Sequence, residues 1–145
     1  AGRIMAILVS ACLLGIGCRY DCKIKANEKV ISLSKKEILI PVCPEQLGGR
    51  PTPRNPVEIK NGHVLEKDGA DHTEEFIKGA EETLKIAKLN NIKKAILKSN
   101  SPSCGFGKVY DGTFSKTLTH GNGIAAELLS KNGIEIKNEN NFDLE

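Results

Sequence analysis

Three cysteines of this chain, Cys12, Cys43 and Cys104, follow shortly after apolar runs at residues 7–11, 38–42 and 95–98. If these runs are neighbouring parallel strands, the thiols converge at one end of a sheet, which is where open α/β sheets bind ligands. Soft thiolates select zinc, copper(I) or iron–sulfur clusters. The spacing therefore favours a soft-metal centre over a redox pair.

Two other interpretations of the cysteines stay open at this point. Free cysteine is among the most buried residue types, so any one of them can be a core residue. A structural zinc site normally has four ligands and closely spaced pairs. Cys18 and Cys22 are separated by three residues and can supply such a pair.

A carboxylate lies close to the second thiol, since Glu45 follows Cys43 by two residues. In that place it can act as a general base or hold a water, although an ordinary solvated glutamate has the same sequence context. Three arginines can bind a phosphate or carboxylate, although arginines are more commonly paired with acidic residues or exposed to solvent. They are Arg19, Arg50 and Arg54.

Two hydroxyls stand beside the third thiol, in the segment Ser101-Pro102-Ser103-Cys104-Gly105. Serine and proline also favour turns, so these residues can serve the local backbone alone. Glycine lets backbone N–H groups approach a ligand closely. We expect Ser103 and Gly105 to bind substrate.

The elements that position these residues alternate between strands and helices. We predict strands at 4–10, 37–42, 92–97 and 134–136, a small hairpin of 57–59 with 63–65, a short helix around 28–33, and helices at 73–89 and 121–129. Residues 12–21 and 46–57 are predicted to be loops. This alternation is typical of a three-layer, Rossmann-like α/β fold with a mostly parallel central sheet. Only two glycines follow the first strand, so the dinucleotide fingerprint is absent.

Length and composition narrow the function. With 145 residues we expect one domain spanning 1–145. The 21 basic residues are scattered among 18 acidic ones, which argues against nucleic acid as the main substrate. The sequence has no apolar run of about 18 residues that would span a membrane. We also expect no signal peptide, and a reducing cytoplasm, where cysteines more often serve metal binding or catalysis than disulfides.

Residues 1–4 and 144–145 are expected to be additions to the natural chain. Composition does not indicate an oligomeric state.

Six segments in order give the chain a family resemblance. They are SACLLG at 10–15, CRYD at 18–21, PVCPEQLGG at 41–49, PTPR at 51–54, SPSCG at 101–105 and YDGTF at 110–114. Together they resemble the domain-of-unknown-function 523 family, which includes the thiouracil desulfidases, over about residues 8–139. One departure is Cys22, which stands where the family usually has glycine.

The resemblance implies a [4Fe-4S] cluster held by only three cysteines, Cys12, Cys43 and Cys104. The fourth iron would be open to the sulfur of a small thiolated pyrimidine such as 2-thiouracil. The catalytic carboxylate of the family falls on Glu45 and its catalytic hydroxyl on Ser101. Replacing sulfur by oxygen with water needs no net electron transfer, so the reaction would be a non-redox desulfidation. The role of Cys18 stays open.

Two other functions fit the same cysteines. A sulfurtransferase that uses a cysteine persulfide would be active without metal and would depend on one cysteine. A non-enzymatic metal-binding or redox-sensing module, with Cys18 and Cys22 as a switch pair, would titrate its thiols reversibly and would not turn over thiouracil.

Overall fold

The computed structural model describes residues 4–143, so all of the expected additions at 1–4 and 144–145 except residue 4 lie outside the described residues. Strands and helices alternate along the chain, as predicted. In order they are β1 (Ala6–Ser10), α1 (Glu28–Ser32), β2 (Ile38–Val42), α2 (Pro44–Leu47), β3 (Val57–Lys60), β4 (His63–Glu66), α3 (Thr73–Leu89), β5 (Lys94–Ile96), β6 (Lys108–Tyr110), β7 (Leu118–His120), α4 (Ile124–Lys131) and β8 (Glu135–Lys137).

The central sheet has four strands in the order β2-β1-β5-β8. All three of its strand pairs are parallel. In this order β2 lies on one side of β1 and β5 lies on the other side. The switch point of the sheet is therefore at the carboxyl ends of β1 and β5. Ligands of open α/β sheets bind in the crevice at such a point.

Both faces of the sheet are covered by apolar side chains. On one face Leu8 and Ala95 pack with Leu129 of α4 and Ala87 of α3. On the other face Ile7 and Val9 form a second cluster with α1 and the turns on either side of it, through Val30, Leu13 and Leu33. The predicted three-layer α/β fold with a parallel sheet is therefore confirmed. Among residues 4–143, no helix is long and apolar enough to cross a membrane.

The long helix α3 has the predicted bounds. Its N-cap residue is His72, whose side chain makes no capping bond. Asp71 still serves the first turn, since its Oδ1 accepts a hydrogen bond from the Thr73 N–H at 2.8 Å. Near its C-terminal end, Ala87 is buried and Leu84 is half-buried.

Short elements account for the other differences. The predicted loop at 46–57 begins inside α2 and ends in β3. The helix predicted at 121–129 begins at Ile124. The hairpin of β6 and β7 was not predicted from the sequence. Each of its strands has three residues, and all three residues of β7 are exposed, so no hydrophobic alternation marks it.

Two glycines bring α2 close to α3. A Cβ placed on Gly79 of α3 would lie 1.9 Å from the carbonyl oxygen of Pro44, and one placed on Gly48 would lie 1.9 Å from the carbonyl oxygen of Glu75. Both contacts are with backbone, which cannot rotate away. The close approach fixes α2, and with it Glu45, against the body of the domain.

We expect Gly79→Ala to lower the free energy of unfolding by about 1–3 kcal/mol, the usual cost of an overpacked contact. Alanine is the better helix former by about 1 kcal/mol, so an open site would be stabilised by the same change. Urea unfolding measures the difference, with Lys78→Ala on the exposed side of α3 as the control. A Gly79→Ala variant as stable as the wild type would contradict the close approach.

Candidate active site

A cavity of about 580 Å³ opens at the carboxyl end of the parallel sheet. This volume is typical of a small-molecule site. Its wall includes four cysteines together with the carboxylate and the two serine hydroxyls singled out in the sequence. These residues are Cys12, Cys18, Cys43, Cys104, Glu45, Ser101 and Ser103.

Three separate loops carry the predicted ligands to the cavity. Cys12 lies in a short 3₁₀ turn after β1, which ends at Gly15 with a left-handed φ of 85°. Cys43 directly follows β2 and is the N-cap residue of α2. Cys104 lies in the loop after β5 and is buried. The structure thus brings together three thiols that are far apart in sequence.

The environment of each thiol shifts its acidity. Burial raises the pKa of Cys104 to about 12 and also raises the pKa of Cys12. A hydrogen bond between the side chains of Cys18 and Cys43 lowers the pKa of Cys43 and raises that of Cys18. Cys43 is therefore the thiol best prepared to bind a metal, since metals take thiolates and release their protons.

The donor set suits a cluster better than a single ion. A tetrahedral zinc needs all its ligand atoms within about 2.3 Å of one point, and within residues 4–143 no three His, Cys, Asp or Glu side chains converge in that way. Cys22 is exposed while Cys18 is buried, so the pair does not face one site. In an iron–sulfur cluster different irons bind different cysteines, and three thiols around one shared cavity fit that requirement.

Glu45 is held by a buried arginine. Nε of Arg54 donates to Oε1 of Glu45 at 2.9 Å, and Nη2 donates to the carbonyl oxygen of Cys18 at 2.9 Å. The Arg54 side chain is only 4% exposed. Its guanidinium is thus committed to internal partners. Arg19 and Arg50 likewise pair with acids, Asp21 and Glu66.

The other carboxylate oxygen of Glu45 leads to the two serines. The Ser103 hydroxyl donates to Oε2 of Glu45 at 3.0 Å, and the Oγ atoms of Ser103 and Ser101 are 3.0 Å apart. Ser101 Oγ also accepts the backbone N–H groups of Ser103 at 3.1 Å and Cys104 at 3.0 Å. A line of hydrogen bonds therefore runs from Arg54 through the carboxylate to Ser101.

Gly105 lies behind this loop and not on the cavity wall described above. Its N–H donates to the carbonyl oxygen of Ser101 at 2.8 Å, and its own carbonyl oxygen accepts from Gly123 at 2.7 Å. A Cβ at this position would lie 2.7 Å from the Ser101 carbonyl oxygen. The contacts of Gly105 thus keep the serine loop tight, and its role in substrate binding stays a prediction.

Three aromatic residues with no chemistry assigned from the sequence also line the cavity. They are Tyr20, Tyr110 and Phe114. Phe114 has a left-handed φ of 56°, and its N–H donates to Glu58 Oε1 at 3.1 Å. Phe114 belongs to the YDGTF segment. The position of this loop over the cavity depends on its contact with β3, which is distant in sequence.

Comparisons with known proteins found a matching family, a similar sequence and a similar solved structure. A family model described as 2-thiouracil desulfurase matches residues 7–141. The uncharacterized protein YbbK of Bacillus subtilis (strain 168) is 42% identical over 147 residues, which cover 94% of this chain and 97% of YbbK. The solved structure of a [4Fe-4S]-dependent thiouracil desulfidase, TudS, is similar with a TM-score of 0.88 and 40% identity, covering 94% of this chain and 91% of that one.

Proposed function

Because the chain belongs to the 2-thiouracil desulfurase family, we propose that it is a [4Fe-4S]-dependent desulfidase that converts 2-thiouracil to uracil and sulfide without net electron transfer. One observation carries the proposal: three thiols and a carboxylate from different loops open onto a single cavity. The similarity to the solved thiouracil desulfidase supports both the reaction and the cofactor.

Cys12, Cys43 and Cys104 would hold the cluster. With only three protein ligands, the bound cluster supplies a Lewis-acidic iron with an open position for the sulfur of the substrate. Cys18 lies beside Cys43, and its side chain is hydrogen-bonded to that of Cys43. We therefore assign Cys18 to the support of Cys43 and not to a fourth ligand.

Glu45 is the general base in this proposal. It accepts a proton from the water that attacks the thiolated carbon, because its carboxylate lies on the cavity wall beside the thiols. Arg54 fixes the orientation of the carboxylate through Oε1. A general base must be held within hydrogen-bond reach of the proton it removes, and the buried guanidinium provides that constraint.

Ser101 is the general acid. A serine hydroxyl has one donor and two acceptor positions, and both acceptor positions of Ser101 are taken by backbone N–H groups. Its hydroxyl proton can therefore only be donated. The same two N–H groups stabilise the negative charge that develops on Oγ when the proton leaves, as the donors of an oxyanion hole do.

We also propose the size of the substrate, the cellular compartment and the domain organisation of the enzyme. A free thiolated pyrimidine suits a cavity of about 580 Å³ better than a folded nucleic acid does. A reducing cytoplasm suits five cysteines that are all free. We further propose that residues 1–145 act as one catalytic domain.

The test is a sulfide-release assay with anaerobically reconstituted protein. We expect one sulfide per uracil formed, with no added reductant, and no turnover by the iron-free protein, which is the matched control. Activity of the iron-free protein with transfer of sulfur to a thiol acceptor would instead support the persulfide sulfurtransferase. Reversible thiol oxidation without turnover would support the redox-sensing module.

A further inference from the structure

The hydroxyl of Ser103 fills the gap between the proposed base and the proposed acid. Within the described residues Glu45 and Ser101 share no direct hydrogen bond, and each is bonded to Ser103, at 3.0 Å in both cases. Ser103 is only 3% exposed. A proton that passes between Glu45 and Ser101 without entering solvent must therefore cross Ser103.

The number of hydrogen bonds that each serine hydroxyl can donate and accept determines which of the two is the donor. Ser101 Oγ already accepts two backbone N–H groups, so in the resting state it donates to Ser103. Ser103 accepts that bond and donates to the carboxylate of Glu45. Its Oγ also lies 3.6 Å from Cys104 Sγ. Ser103 thus has internal partners for its donor and acceptor groups, so its hydroxyl has little hydrogen-bonding capacity left for a substrate.

We propose that Ser103 is a proton shuttle that returns to Ser101 the proton which Glu45 takes from water. This inference rests on the proposed function and adds a residue to its machinery. The role differs from the substrate contact that the sequence suggested for Ser103.

The step balances in atoms and electrons. Water forms the new C–O bond and gives one proton to Glu45, while the C–S bond breaks and Ser101 gives its proton to the departing sulfur. The resulting Ser101 alkoxide has a third lone pair, which the two backbone N–H groups do not occupy. It accepts the proton of Ser103, and Ser103 accepts the proton of Glu45. All three groups return to their starting state. The second proton of water leaves the new C–OH group for solvent as C=O forms, so the sum is water plus C=S giving C=O plus HS⁻ and one proton.

The experiment compares Ser103→Ala, Ser101→Ala and the double variant in the iron-loaded enzyme. We expect Ser103→Ala to lower kcat by about 10²-fold, the lower end of the usual effect of proton transfer, with KM and iron content unchanged. The double variant should be no slower than Ser101→Ala alone, because residues in one relay are not additive. Ser99→Ala is the matched control, since Ser99 lines the cavity but bonds to Glu139.

A proton inventory in mixed H₂O and D₂O separates a relay from a purely structural role. We expect a curved plot of rate against deuterium fraction for the wild type, since several protons move together, and a less curved plot for Ser103→Ala. A raised KM with unchanged kcat would show a substrate contact, and multiplicative losses in the double variant would show independent roles. Either result overturns the shuttle. If the wild type releases no sulfide, the proposed function fails as well; if it does and Ser103→Ala keeps full kcat, only the shuttle fails.

Discussion

Replacing Glu45 by glutamine is expected to reduce sulfide release by at least about 10²-fold, and by as much as about 10⁴-fold, the range of general acid–base catalysis. Glutamine keeps the shape of the side chain, and its amide oxygen can still accept the hydrogen bond that Arg54 donates, whereas the NH₂ group that replaces Oε2 cannot accept from Ser103. It cannot take a proton from water. The iron content and the visible spectrum should stay at wild-type levels, because Glu45 is not among the proposed ligands.

Gln46→Ala is the control for this variant. Gln46 is the next residue of α2, its side chain bonds to Thr52 at 2.6 Å, and it is not among the residues that line the cavity. It should retain wild-type turnover. Full activity of Glu45→Gln would remove this carboxylate from the mechanism, whereas loss of iron together with activity would make it a support of the cluster and not a base.

The sequence predicted the fold from its longer elements. Four apolar runs became the four parallel strands, and the 17 residues of α3 matched the predicted helix because its buried positions follow the helical period. The same runs placed Cys12, Cys43 and Cys104 at strand exits. Their meeting on one cavity wall follows from strand order, which the cysteine spacing alone does not contain.

The hydrogen bonds inside the site were not readable from the sequence. Arg54 reaches the carbonyl oxygen of Cys18, 36 residues earlier, and Ser103 reaches Glu45 across 58 residues. Both contacts depend on how short segments pack. The four residues of α2 are too few to show a periodic pattern, and the approach of α2 to α3 depends on Gly48 and Gly79 lacking a Cβ.

Single alanine variants of Cys12, Cys43 and Cys104 are expected to lose the cluster, with iron falling from about four per chain in the anaerobically reconstituted protein to near zero. Each of these thiols comes from a different loop, and Cys18, the other described thiol on the cavity wall, is hydrogen-bonded to Cys43. Cys18→Ala should keep its iron, because that thiol serves Cys43 through a hydrogen bond.

The control for this series is Cys22→Gly. Cys22 is exposed and has a left-handed φ of 63°, which glycine adopts without strain. It should bind iron like the wild type. Iron loss in Cys18→Ala would make Cys18 a fourth ligand, which would close the coordination position on which desulfidation depends. Stoichiometric zinc in place of iron would also contradict the mechanism. If three variants lose iron and Cys18→Ala and Cys22→Gly do not, three thiols hold the cluster, and the vacant fourth position is left for the sulfur of the substrate.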